Sequence, residues 1–510
     1  MRDMNKNFFK ILSDNFDKYS EKILIEEDKG KNWTYYDVKK LALHFSFFLK
    51  NLGLKKGSRI IVQAEKSVYL VCLYLCCLKS GIIYVPLNTA YTSNEMEYFI
   101  NNIDPDLIFL SKKKLNEHKN LLSRYKKIKS FVLEKDNEEL VSEIYESKKD
   151  NFIEDLDEND IASIIFTSGT TGKSKGAMIS HKNLESNAKA LLNTWGLNKN
   201  DILLHSLPIF HVHGLFVALN TIFLSGAKII FFDKFSPESL IKRLPDATIM
   251  MGVPTYYSRL LSNSSFGKNN CESMRLFISG SAPLTDIVFK EFKERTGHSI
   301  LERYGMSETG MITSNPLNGE RIPGTVGFAL PGVEIRLVDE NGEILTDADR
   351  GIVEVKGPNV FSGYWRLEKK TKEDFKSDGF FTTGDIGQLD NEGRLTLFGR
   401  SNDMLISGGY NIYPKEIEMI LDEIKGINES AIIGCPHNDL GEAVLAILIA
   451  NKDENIISDD TLNEILLRSL AKFKCPKRYI WLDELPRNTM GKVQKKFLKE
   501  KYKNIFEEKK

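Results

Sequence analysis

Short apolar runs recur along most of the chain, separated by stretches in which apolar residues return every three or four positions. The runs at 59–64, 82–86, 107–110, 161–166, 228–232 and 276–279 are rich in Ile, Val, Leu and Phe. Such runs predict strands buried on both faces, and the helical spacing between them predicts crossover helices, hence parallel sheets of the α/β class. From about 324 to 396 the pattern becomes an alternation, as at 334–338 and 352–356, with turns at Asn341-Gly342 and Asn391-Glu392-Gly393. That predicts antiparallel sheet, a small barrel or meander. A last stretch of mixed character holds expected strands at 430–434 and 444–449 and expected helices at 414–421 and 458–471. The main boundary is expected at 400–402, dividing the chain into 1–401, with a β-rich part at about 324–398, and 402–510. Residues 111–160, dense in Lys, Glu, Asp and Asn, read as a solvated surface stretch between packed units.

Length and composition narrow the picture. A chain of 510 residues exceeds one domain, and 42% hydrophobic residues exclude wholesale disorder. Lys+Arg and Asp+Glu both number 70, so no global charge draws the chain to nucleic acid or anionic membrane. Six cysteines contain no C-x-x-C pair, and Cys72, Cys76 and Cys77 sit in an apolar run that reads as core. That run stops at Lys79-Ser80-Gly81, short of the ~20 residues that span a bilayer. The first residues lack a long apolar core, so no signal peptide is read there and the cytoplasm is the expected compartment.

The chemistry concentrates first at Thr167, Ser168, Gly169, Thr170, Thr171, Gly172, Lys173, Ser174, Lys175 and Gly176, directly after an expected strand. Glycines let backbone approach a polyphosphate, hydroxyls donate to it and lysines neutralise it. A Walker A loop needs a glycine where Thr167 stands, and Gly176 interrupts the helix that should come next.

These ten residues resemble the phosphate signature of the adenylate-forming superfamily, which includes acyl-CoA synthetases, carrier-loading domains and luciferases. Five further segments resemble that family's motifs in its order. They are Ser279 to Leu284, with Ser281, Ala282 and Pro283 on the adenine side; Glu302, Arg303, Tyr304, Gly305, Met306, Ser307, Glu308 and Thr309; Asp385 with Arg400; Ser407, Gly408, Gly409 and Tyr410 onward; and Pro486 to Lys492.

The resemblance implies a fold of stacked αβαβα subdomains plus a small β-barrel, with a smaller mobile α+β lid. It implies ATP, Mg²⁺ and coenzyme A. In the implied reaction a carboxylate attacks the α-phosphate of ATP, and a thiol then displaces AMP. By resemblance Glu308 holds the metal with the Thr167 hydroxyl, Tyr304 stacks on adenine, and Asp385 and Arg400 bind ribose or phosphate. Lys492 is the implied catalytic lysine, Ser407, Gly408, Gly409 and Tyr410 the coenzyme A loop, and Asn402 the hinge, where the family usually has Asp or Lys. No obligate protein partner is implied.

For the acid, His211, Ser281 and Met306 are candidate pocket residues, and Arg259 stands on an otherwise apolar helix expected from 254. A buried guanidinium needs an anion, which suggests a second carboxylate on the substrate; the alternative is a surface arginine. The segments 207–215, 251–261 and 274–284 resemble malonyl-CoA synthetases, with methylmalonate, medium-chain or aryl acids as alternatives. A carrier-loading module and a non-catalytic nucleotide sensor are the remaining readings. His211 and His213 form an H-x-H pair without a visible third metal ligand.

Overall fold

The computed structural model describes residues 5–507 except 29, 136–137, 168–173, 346–348, 408–409, 438–439, 452–453, 455 and 489–490. The expected runs form strands Arg59–Gln63, Ile83–Pro86, Leu107–Leu110, Ile161–Thr167, Lys228–Phe231 and Leu276–Ser279. They divide between two sheets. A six-stranded sheet holds Arg59–Gln63 parallel to both Ile83–Pro86 and Leu107–Leu110, and ends in the antiparallel hairpin of Ile161–Thr167 with Lys175–Ser180. A 13-strand path carries the parallel set Ile202–His205, Ile249–Gly252, Leu276–Ser279 and Leu301–Met306. The apolar run beginning at Val68 becomes the helix Val68–Ser80, capped by the Ser67 hydroxyl and by Gly81 at φ 63°. Its cysteines are buried and free, so they act as small core hydrophobes.

The alternating region is antiparallel as expected. Glu334–Val338, Gly351–Lys356, Phe381–Leu389 and Leu395–Arg400 pair in sequence, and Leu395–Arg400 joins Thr325–Ala329 to continue the same hydrogen-bonded path. The last part forms its own five-stranded sheet around the long hairpin Ile427–His437 with Gly441–Ala450. The helices Pro414–Asp422 and Asp459–Leu467 supply Ile417, Leu421, Leu462 and Leu466 to its core. The second helix ends earlier than the expected 471.

One expectation is corrected. Residues 111–160 are no mere surface stretch, because Lys129–Val132 is the edge strand of the six-stranded sheet. Leu121, Leu133, Leu140, Ile144 and Leu156 are buried beneath the charged side chains. The segment is amphipathic, and its charge density masks one apolar face.

Candidate active site

Parallel pairing in the long sheet runs out side by side at Gly252, Ser279 and Glu302, and the neighbouring strand Ile202–His205 closes at His205. Crevices at the carboxyl ends of such strands are where α/β folds bind ligands. The Gly-rich loop enters from the other sheet. Thr167 closes one strand of its hairpin opposite Lys175, and the loop leads into the strand Lys175–Ser180, which agrees with its not being Walker A. Ser168, Gly169, Thr170, Thr171, Gly172 and Lys173 lie outside the described residues, as do Gly408 and Gly409.

Beside the hairpin that carries Thr167, Glu308 is buried in the turn after Leu301–Met306. Its Oε1 accepts from the Thr167 hydroxyl at 3.2 Å and from the Tyr364 hydroxyl at 3.2 Å. Lys175 lies 4.3 Å from the Tyr364 ring centroid; burial lowers its pKa, and Asp374 and Glu308 partly restore it. Thr167 and Glu308 thus meet as expected, and Tyr364 joins them without any sequence signal having marked it. Among the described residues no cluster of three or more His, Cys, Asp or Glu could cage a metal alone. One carboxylate flanked by hydroxyls suits Mg²⁺, which keeps its waters and takes further oxygens from phosphates.

In the antiparallel part, Asp385 accepts from Tyr304 Oη at 2.5 Å and pairs with Arg400 Nε at 2.8 Å. Phe381–Leu389 and Leu395–Arg400 place the two ion-pair partners opposite each other in register. Burial and the adjacent Asp385 raise the Tyr304 pKa, so its hydroxyl stays a donor. Tyr304 is itself largely buried among Ile312, Val353 and Leu395. Glu302, also buried, is pushed up to about 8, chiefly by lost hydration, against donation from the Leu284 and Gly324 backbones.

The surroundings of Arg303 differ. Arg303 is 3% exposed, and its Nε and Nη2 have no hydrogen-bond partner. Gly280 packs on the guanidinium so closely that a Cβ there would stand 2.5 Å from Arg303 Cζ. Ser281 adopts φ 72°, unusual without glycine, and its hydroxyl lies 3.3 Å from His213 Nδ1. Backbone held in that region often marks a functional site. The far nitrogens of His211 and His213 and the hydroxyls of Ser206 and Ser279 are likewise buried without partners. Burial, reinforced by Lys492, pushes His211 down to about 4. Met306 and Ser307 stand half-buried at the strand end, as does Ala282 at the neighbouring turn, where Pro283 is exposed.

Arg259 is corrected on burial. It lies on the exposed face of the helix Pro254–Leu261, so solvent meets its charge and the need for an internal anion falls away. Arg303, grouped with the nucleotide motif from sequence, is buried instead. A hint was available, since a Glu-Arg pair in a strand that starts apolar demands a polar purpose.

Lys492 reaches this cleft from the other side. Desolvation in the cleft and the Arg400 charge lower its pKa, while Asp385 and Glu308 counter them. Its residue surface still meets water, so these pulls act in an open cleft. Gly491, at φ 75°, lies so near the helix Pro254–Leu261 that a Cβ would be 3.0 Å from Thr255 Oγ1. Asn402 lies in a single turn, Ser401–Asp403, directly after Arg400; Ser407 is buried, and Tyr410 begins the strand Tyr410–Ile412. A cavity of about 210 Å³ opens nearby, lined in part by Lys66, Thr89, Ser206, Phe210, Lys234 and Tyr256.

Comparison with known proteins agrees with this arrangement. ATP-bound MatB from Rhodopseudomonas palustris is 44% identical, covers 99% of this chain and 100% of its own, and superposes with a TM-score of 0.95. The apo form of MatB gives 0.85. A malonate–CoA ligase of Arabidopsis thaliana is 34% identical, over 95% of this chain and 87% of the relative. The AMP-binding enzyme family matches residues 12–365, and its C-terminal domain matches 416–492. With both matches in the order and spacing of the cleft's two sides, the chain belongs to the AMP-binding enzyme family.

Proposed function

We propose that the protein is an AMP-forming acid–CoA ligase whose acid is malonate. The observation that carries the choice of acid is the buried Arg303 guanidinium with two free donor atoms, beside Ser281 and His213. An uncompensated buried cation is costly unless its site is completed by an anion. A diacid leaves one carboxylate for that site while the other reacts; a fatty or aryl monoacid has nothing to offer it. The likeness to a malonate–CoA ligase supports the same reading.

In the first half-reaction an oxygen of the free carboxylate bonds to the α-phosphorus, and the bond to pyrophosphate breaks. Two anions approach each other, so the barrier falls when cations stand where charge builds. Lys492 supplies one such cation. Glu308 with the Thr167 hydroxyl would hold Mg²⁺, which neutralises phosphate charge when bound. Asp385 and Arg400 are assigned to the ribose and Tyr304 to the adenine side. In the second half-reaction the coenzyme A sulfur bonds to the acyl carbon, AMP leaves with the carboxyl oxygen, and the thiol proton passes to solvent. Residues 402–510 are read as a lid that turns about Asn402 between the two steps, bringing Ser407 to Tyr410 to the thiol. Six buried free cysteines suit a reducing compartment such as the cytoplasm. Among the described residues, no helix is long and apolar enough to cross a membrane.

An acid panel tests the reading. With ATP, Mg²⁺ and coenzyme A, AMP release is expected to be fastest on malonate, slower on methylmalonate, and near the no-acid control on acetate, octanoate and 4-coumarate. A preference for any monoacid overturns the choice of acid and leaves the ligase chemistry standing.

A further inference from the structure

The segment that carries Lys492 is held by contacts that the chemistry above does not use. Residues 486–488 and 491–494 fold back on each other. Gln494 N donates to Pro486 O at 2.8 Å, Asn488 N to Lys492 O at 2.9 Å, and Lys492 N to Asn488 Oδ1 at 3.0 Å. Arg487 and Val493 form an antiparallel bridge. This closure sets the shape of the loop but not where it stands.

Two ion pairs tie it down. The Arg487 guanidinium donates through Nη1 to Gly491 O at 2.5 Å and through Nη2 to the Glu429 carboxylate on the strand Ile427–His437. Lys495 Nζ donates at 2.6 Å to Glu418 Oε1, which also accepts from Ile432 N at 2.8 Å. The first pair bears directly on the lysine. Gly491 O belongs to the peptide that joins Gly491 to Lys492, so Arg487 fixes the plane from which the Lys492 side chain departs. The planar fork reaches that carbonyl and Glu429 through two separate nitrogens, a span that the single nitrogen of an ammonium lacks.

We propose that Arg487 is the positioning residue for Lys492, anchoring the Gly491–Lys492 peptide to Glu429. The proposal rests on the role given to Lys492 above. A misplacement of about 1 Å at a reacting centre costs on the order of 10²-fold in rate, and a glycine gives its peptide a freedom that Arg487, gripping the carbonyl, and the Asn488 side chain, gripping the N–H, together remove.

The test uses the full chain and reads the half-reactions apart, by ATP–pyrophosphate exchange and by thioester formation from supplied malonyl-adenylate. R487A is expected to lower the exchange kcat about 30–100-fold, with KM for ATP and acid within about threefold. Thioester formation stays within about twofold, as Lys492 serves the first step. R487K falls between. The deciding measurement is the double variant R487A/K492A, expected to be no slower than K492A alone, since a residue acting through Lys492 has nothing left to position. Full additivity, or equal loss of both half-reactions, overturns the proposal. Should R487A not fold, E429Q removes the charge at the far end of the same fork and is expected to show the same split at about 5–10-fold. Wild-type exchange in E429Q then overturns the proposal. An inactive K492A beside a fully active R487A overturns the proposal alone; a fully active K492A overturns the reading of Lys492 as well.

Discussion

The two ends of the cleft handle charge in opposite ways. At the end assigned to the nucleotide the carboxylates have partners, with Glu308 taking two hydroxyls and Asp385 holding Tyr304 and Arg400. At the end assigned to the acid, buried atoms of Arg303, His211, His213, Ser206 and Ser279 stand unpaired. A metal–nucleotide ligand brings both signs, so protein charges there can pair with each other and still be shared with it. A purely anionic ligand is best met by donors left free. The price of that freedom is a less stable empty protein, since unpaired buried donors cost roughly 1–3 kcal/mol each.

The largest expected effect tests the cation that serves both ends. K492A should lower adenylation by about 10²–10³-fold while leaving thioester formation from malonyl-adenylate near wild type. Pyrophosphate exchange and a single-turnover thioester assay measure the two; equal losses would remove Lys492 from the first step.

Next comes the acid end. R303M should lower kcat/KM for malonate by about 10²-fold or more. Its melting temperature should hold or rise, because an unpaired buried guanidinium is exchanged for apolar bulk. R259L is the control; losing an exposed cation is expected to change malonate kinetics by no more than a few-fold. If R259L abolished malonate use and R303M did not, the contrast between the ends would be inverted.

The paired end should behave in reverse. D385A is expected to cost both ATP affinity and stability, the latter by roughly 1–2 kcal/mol, mainly because the Tyr304 hydroxyl is left buried without an acceptor. Arg400 is 42% exposed and can turn to water, which limits the loss. Isothermal denaturation of D385A beside R303M measures the difference directly.

The smallest effect concerns pH. Glu302 is held up at about 8 by burial, with Asp286 adding to it. The folded protein therefore keeps a proton that the unfolded chain releases near pH 4.3. Stability contributed by this group falls as pH rises from about 4.3 to about 8, and is level above that. E302Q should flatten the slope of melting temperature between pH 5 and 8, with its largest gain over wild type at pH 8.

Much of this was legible beforehand. Apolar runs at the lengths of buried strands marked the parallel sheets, and alternation with Asn-Gly turns marked the antiparallel part. Both signals are local, arising from side-chain periodicity and turn chemistry. The charged stretch at 111–160 misled because charge density outweighs a few apolar positions when only composition is read, although Leu133 and Ile144 are fully buried. Arg259 misled for a related reason. Leu260, Leu261 and Tyr257 stand close to it in sequence, but a helix turns 100° per residue, and Arg259 falls with Ser258 on the exposed face. Tyr364 gave no signal, because it matters only through a carboxylate 56 positions away.

The sequence by itself determined the inventory: which strands and helices form, in what order, and which hydroxyls, carboxylates and cations the chain can offer to chemistry. The tertiary structure alone decided which of these are paired and which are left free. Thr167 and Glu308 meet across 141 positions, and Arg303 is buried where Arg259 is not. Pairing and burial are properties of distance and dielectric between remote segments. No local pattern encodes them, so the cleft's division into a satisfied end and an open end exists only once the sheets have packed.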